Sequence, residues 1–135
     1  MSKGEEKIIN LLQKEGYKFE REKHFKDLKR GRLRFDFFVS EGLEAPCIIE
    51  FQGAQHYQQV KKFQPTRADF LKQQEYDRAK ISYCIANEIT IYCIPYWELD
   101  NIHSARELFD QRFRAMDRWK NDRDWANFQI RKNLT

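Results

Sequence analysis

Asp36 and Glu50 are the two residues whose surroundings most constrain what this chain can do. Residues 32–40 and 47–52 each alternate apolar and polar side chains at period two, as half-buried strands do, and the segment 40–46, with Gly42 and Pro46, supplies a turn between them. In the first strand Leu33, Phe35, Phe37 and Val39 share one face, leaving Arg34, Asp36 and Phe38 on the other. In the second, Cys47, Ile49 and Phe51 share a face, and Ile48, Glu50 and Gln52 the opposite one. Pairing the strands sets Asp36 beside Glu50. Two adjacent carboxylates repel unless a cation sits between them, usually a divalent metal. Hard oxygen donors with few nitrogens suit Mg²⁺ (or Mn²⁺), not zinc. Such an ion lowers the pKa of bound water and neutralises charge growing on a phosphoryl group, which is the chemistry of phosphodiester hydrolysis. His56 follows the second strand, and an imidazole titrates close enough to neutrality to take a proton from that water.

The elements that must carry these residues follow from capping and periodicity. A helix starts at Ser2 or Gly4 and stops at Gly16, with Ile8, Ile9, Leu11 and Leu12 as its buried stripe. Glu5 lies three, four and seven residues before Ile8, Ile9 and Leu12, so it shares their face. Thr66 caps a second helix over 67–86, with Asn87 as its stop. Phe70, Asp77, Ile81 and Cys84 fall on one face of it, so Asp77 is a second acid set into an apolar stripe. Strands are expected over 17–25 and 89–95, the latter ended by Pro95. Asp100 or Asn101 caps a last helix, with Ile102, Ala105, Leu108, Phe109, Phe113 and Met116 inward, and 117–135 is read as helical. The order is helix, three strands, helix, strand, helix. An α/β fold follows, a central four-stranded mixed sheet flanked by helices.

The 135 residues are enough for one domain with a real core, and the abundance of Phe, Trp and Tyr excludes disorder. The net charge of +4 is unevenly spread. Basic residues crowd into 21–34, and Lys61, Lys62, Arg67 and Lys72 form a second group after His56. Both flank the carboxylates, as a phosphate backbone demands. Cys47, Cys84 and Cys93 lie far apart in apolar runs and read as reduced core residues. Neither an apolar signal segment nor a membrane-length run is present, so a soluble, cytoplasmic protein with no membrane partner is expected. Tyr57, Phe63 and Tyr83 are packing residues on spacing alone, with base stacking as the alternative.

Together these segments resemble the PD-(D/E)XK nuclease superfamily, and within it the branch related to very-short-patch-repair and phage homing endonucleases. The resemblance rests on Ser2-Lys-Gly-Glu5, Arg34-Phe-Asp36-Phe, Ile49-Glu50-Phe-Gln52-Gly-Ala-Gln-His56-Tyr57, Asp77-Arg-Ala-Lys80-Ile-Ser-Tyr83-Cys84 and Ile94-Pro-Tyr-Trp97. It spans 1–103, a nuclease-like core, and leaves 104–135 as a C-terminal helical extension through which a homodimer could form. It implies a metal held by Asp36, Glu50 and the Phe51 carbonyl, supported by Glu5. His56 would take part in the chemistry, oriented by Asp77. Gln52 stands where the family has a lysine, and a glutamine can orient water but brings no positive charge. DNA is the implied partner, with Arg30, Arg32, Arg34, Lys61, Lys62, Arg67 and Lys80 as its contacts. Lys80 could instead pair with Asp77, one helical turn before it. Two other readings remain open: a nuclease fold kept as a DNA-binding or partner-binding module, with Gln52 marking lost catalysis, or a branched-DNA resolvase.

Overall fold

The computed structural model describes residues 1–28 and 33–115. Helix α1 spans Lys3–Lys14, and its N-cap Ser2 accepts the Glu5 N–H at 3.1 Å. Gly16, at φ 81°, gives the left-handed turn that stops α1 and feeds β1, Lys18–Lys23. Strands β2, Phe35–Glu41, and β3, Cys47–Gln52, follow. A 3₁₀ turn, Ala54–His56, leads through a loop to α2, Arg67–Ala86. Thr66 and Asp69 form a reciprocal capping box at the start of α2, and Asn87 ends it. Strand β4 is Thr90–Pro95.

The sheet order is β1-β2-β3-β4. The first two pairings are antiparallel and β3–β4 is parallel, with α2 as the crossover that a parallel pair requires. The expected α/β fold, a mixed four-stranded sheet between helices, is therefore the observed one. On one sheet face Ile8 and Leu12 of α1 pack with Phe37, Val39, Ile49 and Ile94. On the other, Ile81 and Cys84 of α2 pack with Phe35, Ile48 and Ile91. No helix among the described residues is long and apolar enough to cross a membrane.

Two expectations need correction. Phe35 does not share a face with Phe37; it packs on the α2 side, together with Leu33. The alternation of β2 breaks at Asp36, for a reason that belongs to the site below. The last helix is not continuous either. After a 3₁₀ turn at Tyr96–Asn101, it is replaced by a short α3 at Ala105–Leu108 and a further 3₁₀ turn at Gln111–Phe113. Side chains interrupt it: Glu107 accepts the His103 N–H at 2.8 Å, and Asp110 accepts the Arg112 N–H at 2.9 Å, each starting a new turn. The inward residues are still Ile102, Ala105, Leu108 and Phe113, buried in the α1 cluster, with Phe109 partly buried against it. Glu15 at the end of α1 accepts the Ala105 N–H and ties this segment down. Arg30, Arg32 and Met116, and the helix read over 117–135, lie outside the described residues.

Gly4 is the close contact that sets α1 against the sheet. A Cβ there would overlap the Phe51 ring. Gly4→Val is expected to lower stability by about 1–3 kcal/mol through overpacking. Urea unfolding measures this, and an unchanged midpoint would mean that the helix can shift freely.

Candidate active site

The β2–β3 ladder runs through Val39↔Cys47, Phe38↔Ile48 and Phe37↔Ile49. Beyond it, side chains take over the hydrogen bonds of the backbone. The Asp36 N–H donates to Glu50 Oε2 at 2.6 Å, and the Phe51 N–H donates to Asp36 Oδ2 at 2.8 Å. On the other edge of β2 the pairing with β1 passes from Arg21↔Phe37 to Lys23↔Phe35 without Asp36. Glu22, between those β1 positions, adopts φ 54°, a left-handed conformation uncommon outside glycine. Both ladders thus break at one residue. This break turns Phe35 to the α2 face and fixes the two carboxylates next to each other.

Helix α2 brings the charge that balances them. Lys80 Nζ lies 2.6 Å from Glu50 Oε1, and the side chains of Lys80 and Glu50 are 14% and 7% exposed. Burial alone would make the ammonium more acidic, but Glu50, Asp36 and Asp77 outweigh it and hold its pKa above the ordinary value. One cation does not satisfy the cluster. Burial, and after it the charge of Glu50, raise Asp36 from 3.8 to about 8, against the opposing pull of Lys80 and the Phe51 amide.

His56 Nδ1 sits 2.8 Å from Asp77 Oδ2, and Gln73 Nε2 donates to Asp77 Oδ1 at 3.1 Å. An ionised carboxylate only accepts, so Nδ1 carries the proton and the neutral ring keeps Nε2 as its base. Burial pulls the His56 pKa down, yet the charge and hydrogen bond of Asp77, with Glu50 behind them, leave it raised above 6.5. His56 and Gln73 border one cavity of about 350 Å³, lined also by Glu5, Asp36, Glu50 and Lys80, with Asp77 behind it.

The remaining expected residues divide. Glu5 reaches the cavity, but Arg21 Nη2 holds its Oε2 at 2.7 Å. Gln52 does not line it: the residue is buried and accepts a hydrogen bond from Tyr57, whose ring packs on Trp97 at 4.7 Å. Tyr57 is thus a packing residue. Tyr83 donates to Asp27 Oδ1 at 2.6 Å. Arg34 is exposed and donates to the Glu22 carbonyl at 3.2 Å. Lys61, Lys62 and Arg67 are exposed, with the Arg67 guanidinium 4.9 Å from the Phe70 ring centroid. Lys80 lines the cavity, and its ammonium pairs with Glu50 and not with Asp77. Sequence reasoning missed Gln73 altogether. Its position four residues before Asp77 on one helix was the signal available.

Among the described residues no group of three or more His, Cys, Asp and Glu is placed to hold a metal ion. The donors that are present, the carboxylates of Asp36 and Glu50 beside Phe51, nonetheless suit Mg²⁺, which is commonly held by one or two carboxylates and keeps several waters. A divalent ion would offset the burial and the Glu50 charge that together raise the Asp36 pKa. No protein-family model, curated protein or solved structure matches the chain.

The Lys80–Glu50 pair is tested by a double-mutant cycle. Glu50→Ala strands a buried ammonium and is expected to cost about 3–5 kcal/mol. The same substitution made in a Lys80→Ala background should cost markedly less, and additive losses in urea unfolding would show the two groups to be uncoupled.

Proposed function

We propose that this chain is a metal-dependent DNA endonuclease of the PD-(D/E)XK type, with Asp36 and Glu50 holding Mg²⁺ (or Mn²⁺). The observation that carries this reading is the convergence of three groups on one cavity: two carboxylates locked by exchanged backbone bonds, a buried ammonium, and a carboxylate-oriented imidazole. When bound, the metal supplies an activated water and neutralises charge on the phosphoryl oxygens.

The chain's own residues do the rest. His56 accepts the proton of the attacking water at Nε2, while Asp77 keeps the Nδ1 proton in place and stabilises the imidazolium that results. Gln73 holds the second oxygen of Asp77, so the carboxylate cannot rotate away without losing a hydrogen bond. Lys80 brings a fixed positive charge to the place where the phosphorane oxygens become more negative. It thereby takes over the task that the family resemblance gives to residue 52. Glu5, braced by Arg21, borders the site from α1 and can hydrogen-bond its waters. Arg34, Lys61, Lys62 and Arg67 are exposed cations available to the DNA backbone. The presence of Lys80 favours an active enzyme over the decayed module that Gln52 alone would suggest. Three free, buried cysteines fit a reducing, intracellular setting.

Plasmid relaxation in Mg²⁺ or Mn²⁺ tests this. Asp36→Ala and Glu50→Ala should abolish nicking, and Lys80→Met should slow it by about 10²–10³. Tight DNA binding by the wild type without cleavage in either metal would instead establish the decayed module.

A pH profile tests the imidazole separately. His56 serves as a base only when neutral, so the rate should fall as pH drops through a midpoint above 6.5. Asp77→Asn removes the charge that raises this pKa and leaves the burial that lowers it. The acid limb should then move to lower pH while the plateau rate falls, by roughly tenfold or more. An acid limb unmoved by Asp77→Asn would assign the titration to another group.

A further inference from the structure

Phe63 is 62% exposed, yet it lines the same cavity as the carboxylates. The loop that presents it is firmly built. Gln64, the next residue, is buried, and its carboxamide donates to the Gln55 carbonyl at 2.8 Å and accepts the Val60 N–H at 3.0 Å. Gln59 Nε2 donates to the Gln64 carbonyl at 3.0 Å, and the Phe63 N–H donates to the Val60 carbonyl at 2.9 Å. The ring is thus held outward by a hydrogen-bonded turn. It does not hang from a slack chain.

Its surroundings are cationic. Lys61 and Lys62 are exposed beside it, and Lys62 Nζ lies 5.6 Å from its ring centroid. An apolar ring with the Lys62 ammonium near it, opening onto the cleft read above as a nuclease site, complements a base attached to a phosphate chain. It suits an apolar peptide poorly. Within a paired duplex both faces of every base are covered by neighbours, so a side chain must wedge a base step open, at a cost that an unpaired base spares.

We propose that Phe63 stacks on an unpaired base beside the scissile phosphate, so that the preferred substrate is single-stranded or locally unpaired DNA. This rests on the nuclease reading above and names its substrate class.

The test uses the full chain and oligonucleotides carrying 2-aminopurine, either single-stranded or in a perfect duplex. Binding is followed in EDTA and cleavage in Mg²⁺. The wild type should bind the single strand more tightly than the duplex and quench its fluorescence. Phe63→Ala should lose roughly tenfold or more on the single strand and change little on the duplex, while Phe63→Tyr restores both binding and quenching. Circular dichroism verifies that each variant is folded. Equal behaviour of Phe63→Ala and wild type on both substrates would overturn the stacking role and leave the nuclease reading intact. So would a Phe63→Ala effect seen only in self-association by sedimentation, which would make the ring a contact between copies. Failure of the wild type to bind or cut any DNA overturns both.

Discussion

The exchange of hydrogen bonds between Asp36 and Glu50 is the constraint to which the rest of the site answers. Each carboxylate satisfies a backbone N–H that the parted strands can no longer satisfy, one at 2.6 Å and the other at 2.8 Å. A buried amide without a partner is costly, so the strands can separate here only because these side chains fill the gap. The same bonds hold two negative charges together in a half-buried place. That arrangement is unfavourable in isolation: burial, and after it the charge of Glu50, push the Asp36 pKa upward.

Helix α2 supplies the response. Its sheet-facing side carries Phe70, Asp77, Ile81 and Cys84 in the buried set and, between them, Gln73 and Lys80 at the cavity. A helix face that mixes charges with apolar groups would be a poor packing surface by itself. Here every charge has a partner: Lys80 has Glu50, Asp77 has His56 and Gln73. Paired and hydrogen-bonded groups can be buried where single ones cannot, although breaking one such pair is severe. The chemistry and the packing of α2 therefore depend on the same contacts. Gly4 on the opposite face of the sheet does the complementary job, letting α1 approach Phe51 closely enough that Glu5 borders the cavity.

Much of this was legible in the sequence. Period-two patterning found β3 and its Glu50 face, the Thr66 and Asn87 signals bounded α2, and the spacing of Phe70, Asp77, Ile81 and Cys84 identified its buried face. These are local rules, and local rules held where the structure is regular. They failed where a side chain replaced a backbone partner. Strict alternation misplaced Phe35, because a ladder break cannot be seen in an apolar pattern. Continuous helical spacing from Ile102 hid the two side-chain caps at Glu107 and Asp110. For Lys80 the local rule offered a phosphate or Asp77, one turn before it, whereas its partner Glu50 lies 30 residues away on a strand.

The location of the ammonium follows from where an acceptor is available. At residue 52 the local partner is the neutral hydroxyl of Tyr57, which can match a carboxamide but cannot compensate a buried charge. At residue 80 the partner is Glu50, a carboxylate that itself needs a cation, with Asp36 and Asp77 contributing in the same direction. A lysine on the strand would be desolvated among groups that do not offset it, whereas a lysine on the helix is stabilised by the same charges that it stabilises. Glutamine at 52 is thus compatible with an intact electrostatic site, because the charge and the residue number on the strand are separable while the charge and its carboxylate partner are not.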